Sequence, residues 1–335
     1  MPAPSPTPRR PAPERDSAES GDAAPSPSLR SIWIDLLLYP THSLPTAVAP
    51  VLVGAGLGIR DGIFAPLPVL VGFLGSWLIH VAGVFADNHE LLREHPGIRE
   101  HPELDRAIAD GTLRLSTLRA AIGVCLLLAA AAAPWLHAIG GAPVLAFGAI
   151  GIAASLSYNV GPWAYVRRGW ADPIFFLMFG VVAVAATYYI QAAAVRGATA
   201  PWALLGSLPR PVWVVGLPAG ALVTSVMLVD DLRDHEFDRA KGWRTGAVRW
   251  GPGFVRAEIA VLVAFAYAAP VAFWLFLGLG PWTLLPLASL PLAWTTARGV
   301  TTPRERAALV PMTPKVARLA VVHSALLAAG LSLSG

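Results

Sequence analysis

Cysteine and charged residues are both scarce in this chain. The single cysteine, Cys125, lies in an apolar run, which excludes a disulfide or a cysteine-based metal site within one chain. Only 14% of the 335 residues are charged, whereas 55% are hydrophobic. A soluble domain carries about a quarter charged residues, so the composition argues against a soluble protein and predicts lipid as the main solvent. The net charge of +4 is modest, and we expect no nucleic-acid partner.

The first segment of the chain differs from the rest. Residues 1–29 have no aromatic residue and are rich in proline, alanine and serine. Such a segment buries too little apolar area to offset the entropy of ordering it, so we expect a disordered tail. It also lacks the apolar core of a cleaved signal peptide. Residues 30–335 then form one transmembrane domain.

Long apolar runs fill the remainder. A membrane-spanning helix needs about 20 mostly apolar residues. Stretches of this kind lie near 33–58, 63–86, 113–134, 141–163, 171–194, 211–230, 255–278, 282–298 and 315–333. No stretch shows the alternation of a β-barrel. The sequence therefore predicts an all-α, polytopic membrane protein with nine transmembrane helices.

The basic residues give this bundle an orientation. All but three of the 25 lysines and arginines fall before the first span or in the connections after even-numbered spans and their flanks; the exceptions are Arg60, Arg196 and Arg210. Cytoplasmic loops carry the excess of basic residues in membrane proteins. We therefore expect a multi-pass protein of the inner or plasma membrane, with its N-terminus in the cytoplasm and its C-terminus outside.

Two rows of carboxylates follow the second and sixth spans. Asp87, Glu90 and Glu94 share one face of a helix by their spacing, and Asp230, Asp234 and Asp238 do the same, with Asp231 beside them. Like charges stacked on one face repel each other unless a cation lies among them. Ordinary charged loops at membrane exits are the alternative, but two such rows together favour a function.

Oxygen ligands of this kind suit Mg²⁺, which completes its coordination with water and phosphate oxygens. We predict all seven carboxylates as metal ligands and assign catalytic roles to Asp87, Glu90, Asp234 and Asp238. Four basic residues near the rows are predicted to bind a diphosphate: Arg106, Arg239, Lys241 and Arg244. Five further residues are predicted to line a substrate pocket: Asn88, Tyr158, Asp172, Phe179 and Tyr188. Of these, the aromatic rings could stabilise a cation.

These motifs resemble those of the UbiA superfamily of intramembrane prenyltransferases. That family has NDxxDxxxD after its second helix and DxxxD after its sixth; here the second motif reads DLRDHEFDRAKGWRTGAVRWG from Asp231. The first motif differs, because Ala86 replaces asparagine and glutamates stand at positions 90 and 94. The opening YPTHSLPTAVAPVLVG, the run FGVVAVAATYYIQ and the closing PMTPKVARLAVVHSALLAAGL are similar to the 1,4-dihydroxy-2-naphthoate polyprenyltransferases of menaquinone biosynthesis.

The resemblance implies Mg²⁺-dependent transfer of a prenyl group from an isoprenyl diphosphate to an aromatic acceptor in the bilayer. Three alternatives remain at this point. A terpene cyclase of the same superfamily would use the same metals without an acceptor. An ion-coupled transporter would place carboxylates near the bilayer midplane and often contain repeats. A non-catalytic scaffold would leave the paired acidic rows without a purpose.

Overall fold

The computed structural model describes residues 43–97 and 102–335, and within these ranges the chain forms helices and loops without a β-strand. The longer helices are α1 (Ser43–Arg60), α2 (Pro66–Glu94), α3 (Pro102–Ala109), α4 (Leu115–Gly140), α5 (Ala142–Leu156), α6 (Ala171–Arg196), α7 (Leu217–Ala240), α8 (Pro252–Leu277), α9 (Leu290–Thr301) and α10 (Met312–Ser332). A 3₁₀-helix, Pro281–Ser289, leads into α9, and single-turn helices lie at Pro201–Gly206, Gly246–Arg249 and Arg306–Leu309.

The all-α membrane architecture is confirmed, but the count of nine spans is not. Among the described residues, seven helices are long and apolar enough to cross a membrane. The predicted fourth span is the 15-residue helix α5, which at 1.5 Å per residue is shorter than the roughly 30 Å hydrocarbon layer. The predicted eighth span consists of the 3₁₀ segment and α9. The predicted tail, residues 1–29, and the start of the first span lie outside the described residues.

Helix α7 is the centre of the bundle. In the segment Arg210–Ala240, which ends with α7, 83% of the apolar window is buried inside the protein, compared with 11% for α4. A helix that is apolar all round belongs in the interior, where α7 packs among α6, α8 and α10. Proline lies in its first turn, where no backbone hydrogen bond is lost, and Gly242, with φ of 76°, follows its end. The acidic residues occupy its last three turns.

Glycines hold α6 and α7 in close contact. A Cβ atom added at Gly220 would lie 2.6 Å from the carbonyl oxygen of Phe176 and 2.7 Å from Cα of Gly180. Gly216 and Gly220 form a GxxxG pair, the sequence pattern that lets membrane helices approach backbone to backbone. Opposite this pair, α6 contains a π-helical turn over Met178–Val182. Such turns are frequent at functional sites.

Candidate functional site

A cavity of about 620 Å³ lies among α1, α2, α4, α5, α6 and α7. Its lining includes five aspartates, which are Asp87, Asp230, Asp231, Asp234 and Asp238. The rest of its wall is mainly apolar and extends along α2 as far as Val69. From Asp87 to Val69 the helix rises by roughly 27 Å, close to the thickness of the hydrocarbon layer. The cavity therefore combines an acidic end with a long apolar body.

The two acidic rows contribute to the same end of the cavity, with Asp87 from the last turns of α2 and four aspartates from the last turns of α7. The loop after α5 and the loop after α7 are joined by a backbone hydrogen bond from Arg244 N–H to Arg167 C=O, 3.0 Å. A helix C-terminus carries partial negative charge, so carboxylates there are destabilised unless cations are present. This position accounts for the many basic groups around both rows.

Asp87 is the carboxylate of the first row that faces the cavity. Its Oδ1 accepts a hydrogen bond from Asn159 Nδ2 at 2.7 Å. Arg167 holds this asparagine from the other side, with Nε donating to Asn159 Oδ1 at 2.6 Å and Nη2 to its carbonyl at 2.9 Å. Asn159 is 1% exposed. Asp87 is thus oriented by a buried amide and an arginine that were absent from the predicted site.

Glu90 and Glu94, predicted with Asp87 as ligands, are not among the residues that line the cavity. Glu90 is paired with His89 Nδ1 at 3.0 Å and with Arg93. Glu94 is paired with Arg93 at 2.8 Å and with Arg167 at 2.6 Å. Arginines neutralise both carboxylates, namely Arg93 of the same helix and, for Glu94, also Arg167 of the loop after α5. In this structure Glu94 contributes to the site through Arg167, behind Asn159 and Asp87.

All four predicted aspartates of the second row line the cavity. Asp231, Asp234 and Asp238 are buried, with 6%, 4% and 4% of their surface exposed. Asp238 accepts a hydrogen bond from Thr245 Oγ1 at 3.3 Å and pairs with Lys241 Nζ at 3.0 Å. Burial of charge at this density requires compensation by cations or hydrogen bonds.

Two arginines of the second row were missed by the sequence interpretation. Arg233 lines the cavity and pairs with Asp230 Oδ1 at 2.6 Å and with Asp234 Oδ2 through Nε at 2.8 Å. Arg306, from the single-turn helix before α10, donates to Asp234 Oδ1 through Nε at 3.0 Å. The motif itself contains Arg233, so this residue could have been found by its position. Arg306 lies 72 residues away and no local pattern points to it.

The predicted diphosphate-binding residues divide into two groups. Lys241 lies at the site, with Nζ 3.0 Å from Asp238 and 3.7 Å from the ring centroid of Trp243, a cavity-lining residue. Arg106, Arg239 and Arg244 are exposed and are not among the lining residues. Arg106 is on α3, and Arg239 lies in the last turn of α7. The structure therefore places one of the four predicted diphosphate-binding side chains, Lys241, beside the acidic rows.

The predicted pocket residues divide in the same way. Asn88, Tyr158 and Phe179 line the cavity. Asp172 does not, and its carboxylate lies near Gly246, 3.8 Å from a Cβ atom added there. Tyr188 is also outside the lining, because it faces α1 and donates to Asp61 at 2.5 Å. Tyr188 and Thr187 are adjacent on α6, so their side chains point in different directions and Thr187 takes the cavity side.

Aromatic rings form a continuous wall from the acidic end into the apolar body. The ring centroids of Tyr158 and Tyr165 are 5.5 Å apart, those of Tyr158 and Phe175 5.8 Å, and those of Phe175 and Phe179 5.4 Å. His80 of α2 continues the wall, edge-on to Phe179 at 6.0 Å. Burial, with the nearby Asp87 carboxylate, raises the pKa of the Tyr165 phenol, so this residue stays neutral. Sequence interpretation identified parts of this wall but not its continuity.

The chemistry of the acidic end fits a divalent cation. Five aspartates from two helices offer oxygen ligands, and Mg²⁺ uses few carboxylates because phosphate oxygens and water complete its coordination. Within residues 43–97 and 102–335, no three His, Cys, Asp or Glu side chains already converge on a point that would hold a metal ion. The carboxylates turn instead toward Arg233, Arg306 and Lys241.

Comparison with known proteins agrees with this arrangement. The sequence profile described as "UbiA prenyltransferase family" matches residues 47–312. An Escherichia coli K12 protein named 1,4-dihydroxy-2-naphthoate octaprenyltransferase is 26% identical over 90% of this chain and 95% of its own length. A Mycobacterium tuberculosis protein of the same name is 28% identical over 81% of this chain and 87% of its own.

A solved structure shares the fold. A UbiA homolog from Archaeoglobus fulgidus bound to DMAPP and Mg²⁺ superposes with a TM-score of 0.51 at 15% identity, covering 88% of this chain and 98% of that chain. The family match extends over more than half of the chain and confirms the resemblance that the two acidic motifs indicated. This chain therefore belongs to the UbiA prenyltransferase family.

Proposed function

We propose that this membrane prenyltransferase transfers the prenyl group of an isoprenyl diphosphate to an arene resembling 1,4-dihydroxy-2-naphthoate, with Mg²⁺ at the acidic end of the cavity. The observation that carries the proposal is the cavity itself, which has carboxylates at one end and an apolar, aromatic body behind them. An isoprenyl diphosphate has the matching shape, with a charged head and a hydrocarbon tail. The names of the bacterial relatives support the naphthoate acceptor.

The acidic residues would hold Mg²⁺, with Asp87 on one side and Asp230, Asp231, Asp234 and Asp238 on the other. When bound, the metal supplies positive charge to the leaving diphosphate. Asn159 and Arg167 fix the direction of Asp87, and Lys241 and Arg233 add fixed positive charge near the same end. Charges already in place at the leaving group cost no reorganisation during the reaction.

The rest of the chemistry takes place against the aromatic wall. The bond between prenyl C1 and the bridging oxygen breaks, and its electron pair leaves with the diphosphate. The rings of Tyr158, Phe175 and Phe179 offer π-faces to the resulting allylic cation. The apolar walls exclude water that would otherwise capture it. The acceptor carbon then bonds to C1, and with a naphthoate acceptor the loss of CO₂ returns an electron pair to the ring.

The location of the acidic residues also bears on the proposed orientation and on a rival function. They occupy the C-terminal turns of α2 and α7, at one end of the bundle, whereas a coupled transporter would have them near the midplane. We propose that this end faces the cytoplasm, as the distribution of lysine and arginine indicates.

The direct test is product analysis. Purified protein in lipid nanodiscs receives geranylgeranyl diphosphate, 1,4-dihydroxy-2-naphthoate and Mg²⁺, and the products are identified by mass spectrometry. We expect a prenylated, decarboxylated naphthalenediol and an equal amount of diphosphate, both abolished by EDTA. A cyclised hydrocarbon without an attached arene, or diphosphate release that ignores EDTA, would contradict the proposal.

Replacement of Asn159 tests whether its hydrogen bond to Asp87 contributes to metal binding. In Asn159→Ala the carboxylate loses its 2.7 Å hydrogen bond, and Arg167 loses its partner. Loss of an outer-shell partner typically costs ten- to a hundredfold in metal affinity. We therefore expect the Mg²⁺ concentration for half-maximal diphosphate release to rise roughly tenfold or more. Ser157→Ala is the matched control, because Ser157 bonds to Ala153 of its own helix; an equal shift in both variants would exclude a specific role for Asn159.

A further inference from the structure

Arg306 reaches across from the connection between α9 and α10 to a carboxylate of the second acidic row. Its Nε and Nη2 lie 3.0 Å and 2.9 Å from Asp234 Oδ1. The other oxygen of Asp234, Oδ2, is bound by Nε and Nη2 of Arg233 at 2.8 Å and 2.5 Å. Each oxygen of this aspartate is therefore held by a different guanidinium group.

This arrangement competes with metal binding. Asp234 is 4% exposed, and a buried carboxylate is destabilised unless a cation neutralises it. In the structure two guanidinium groups provide that neutralisation. Their summed charge equals that of one divalent cation, so a bound metal could provide the same neutralisation. At least one guanidinium must withdraw before Asp234 Oδ1 or Oδ2 can become a metal ligand.

Arg306 is the guanidinium that can move with less cost. Its side chain is 41% exposed, compared with 15% for Arg233. The backbone at Arg306 is nevertheless fixed, because Leu309 of the same short helix is buried in the core at 1% exposure. The guanidinium lies over the ring of Phe237 at 5.0 Å, on the rim of the acidic end. A side chain with a fixed backbone and a partly exposed guanidinium can exchange one bound anion for another.

We propose that Arg306 binds the diphosphate of the substrate: it occupies Asp234 until divalent cations take that carboxylate, and then turns to the phosphate oxygens. This inference rests on the proposed function and names a residue that the acidic motifs do not contain. A guanidinium offers several donors in a fixed plane, which matches phosphate oxygens.

The test measures two quantities that should change in opposite directions in Arg306→Gln. First, Mn²⁺ binding to the full chain without prenyl diphosphate is followed by the electron paramagnetic resonance signal of free Mn²⁺. We expect binding to tighten roughly two- to fivefold, the range for one partly exposed ion pair. Second, the KM for geranylgeranyl diphosphate should rise roughly tenfold or more, because a charge-assisted hydrogen bond is lost. The KM for the arene should not change.

Two further variants sharpen the result. Arg306→Lys keeps the charge without the planar fork, so we expect a smaller rise in KM and near-normal Mn²⁺ binding. Arg304→Gln is the matched control, since Arg304 is an exposed arginine of the same connection. Weaker or unchanged Mn²⁺ binding in Arg306→Gln, or an unchanged KM, would overturn the inference. If Arg306 only held Asp234 in place, its loss would weaken both Mn²⁺ binding and substrate binding.

Failure of the inference and failure of the proposed function are separable. The Mn²⁺ measurement needs no turnover and decides alone whether Arg306 competes for Asp234. A wild-type chain that binds Mn²⁺ but releases no diphosphate would refute the function and, with it, the diphosphate-binding role. A wild-type chain that turns over normally, with Arg306→Gln unchanged in both measurements, would refute the inference only.

Discussion

Asp234→Asn should lower Mg²⁺-dependent diphosphate release by roughly a hundred- to a thousandfold, the range seen when one preorganised electrostatic group is removed from an active site. The carboxylate is buried, lines the cavity and holds two arginines in place. Asparagine keeps the size of the side chain but removes the charge, so it cannot balance a cation. The loss should appear in kcat/KM for the prenyl diphosphate and persist at high Mg²⁺.

Glu236→Gln is the matched control for this variant. Glu236 lies on the same turn of α7 but is exposed, so its neutralisation should change activity by less than about twofold. Thermal unfolding of both variants separates loss of catalysis from loss of fold. Asp234→Asn protein that melts like the wild type and still turns over at a normal rate would show that the second acidic row does not serve the reaction.

Gly148→Leu should lower activity on prenyl diphosphates with long tails and leave activity on short ones nearly unchanged. Gly148 lines the cavity on α5, about two helical turns or roughly 11 Å from Ser155, and a Cβ there would meet nothing within 4 Å. A leucine therefore projects into open space that a long tail needs. Steric overpacking of 1–3 kcal/mol corresponds to a loss of up to roughly a hundredfold in kcat/KM for geranylgeranyl diphosphate. Dimethylallyl diphosphate, which ends before this depth, should react within about twofold of the normal rate.

Gly123→Leu is the control for added bulk. A Cβ atom added at Gly123 on α4 would also meet nothing within 4 Å, but this glycine is not among the residues that line the cavity. The variant should leave the ratio of long to short substrates unchanged. Equal loss of both substrates in Gly148→Leu would indicate a damaged bundle, and no loss for the long substrate would show that the tail takes another path.

Much of the fold could be predicted because a membrane imposes a simple rule on sequence. Apolar length identified the helices, and the positions of α1, α2, α4 and α6–α8 follow from it. Apolar length alone does not confirm a span where a helix is short or broken, as in α5 and in the 3₁₀ segment before α9. Those segments rely on neighbouring helices rather than on their own length, and single-sequence hydropathy contains no information about neighbours.

The site was predictable to the extent that its residues lie close in sequence. The second acidic row lies on one helix, so its spacing was visible in the sequence. Its four members line the cavity: Asp230, Asp231, Asp234 and Asp238. Asn159 and Arg306 act on carboxylates 72 residues away in sequence, and only tertiary packing brings them there. Glu90 and Glu94 show a further limit, because helical spacing does not reveal that both carboxylates form ion pairs with arginines outside the cavity lining.

The glycine contact between α6 and α7 has a consequence for how the enzyme accommodates its substrates. With backbones touching at Gly180 and Gly220, these helices cannot slide or separate without losing the contact, so the aromatic wall and the second acidic row form one rigid frame. Helix α4, whose apolar window is only 11% buried inside the protein, contributes Ala129, Ala130 and Ala133 to the cavity lining. We expect tails of different bulk to be accommodated without a change in the relative positions of the aromatic wall and the second acidic row.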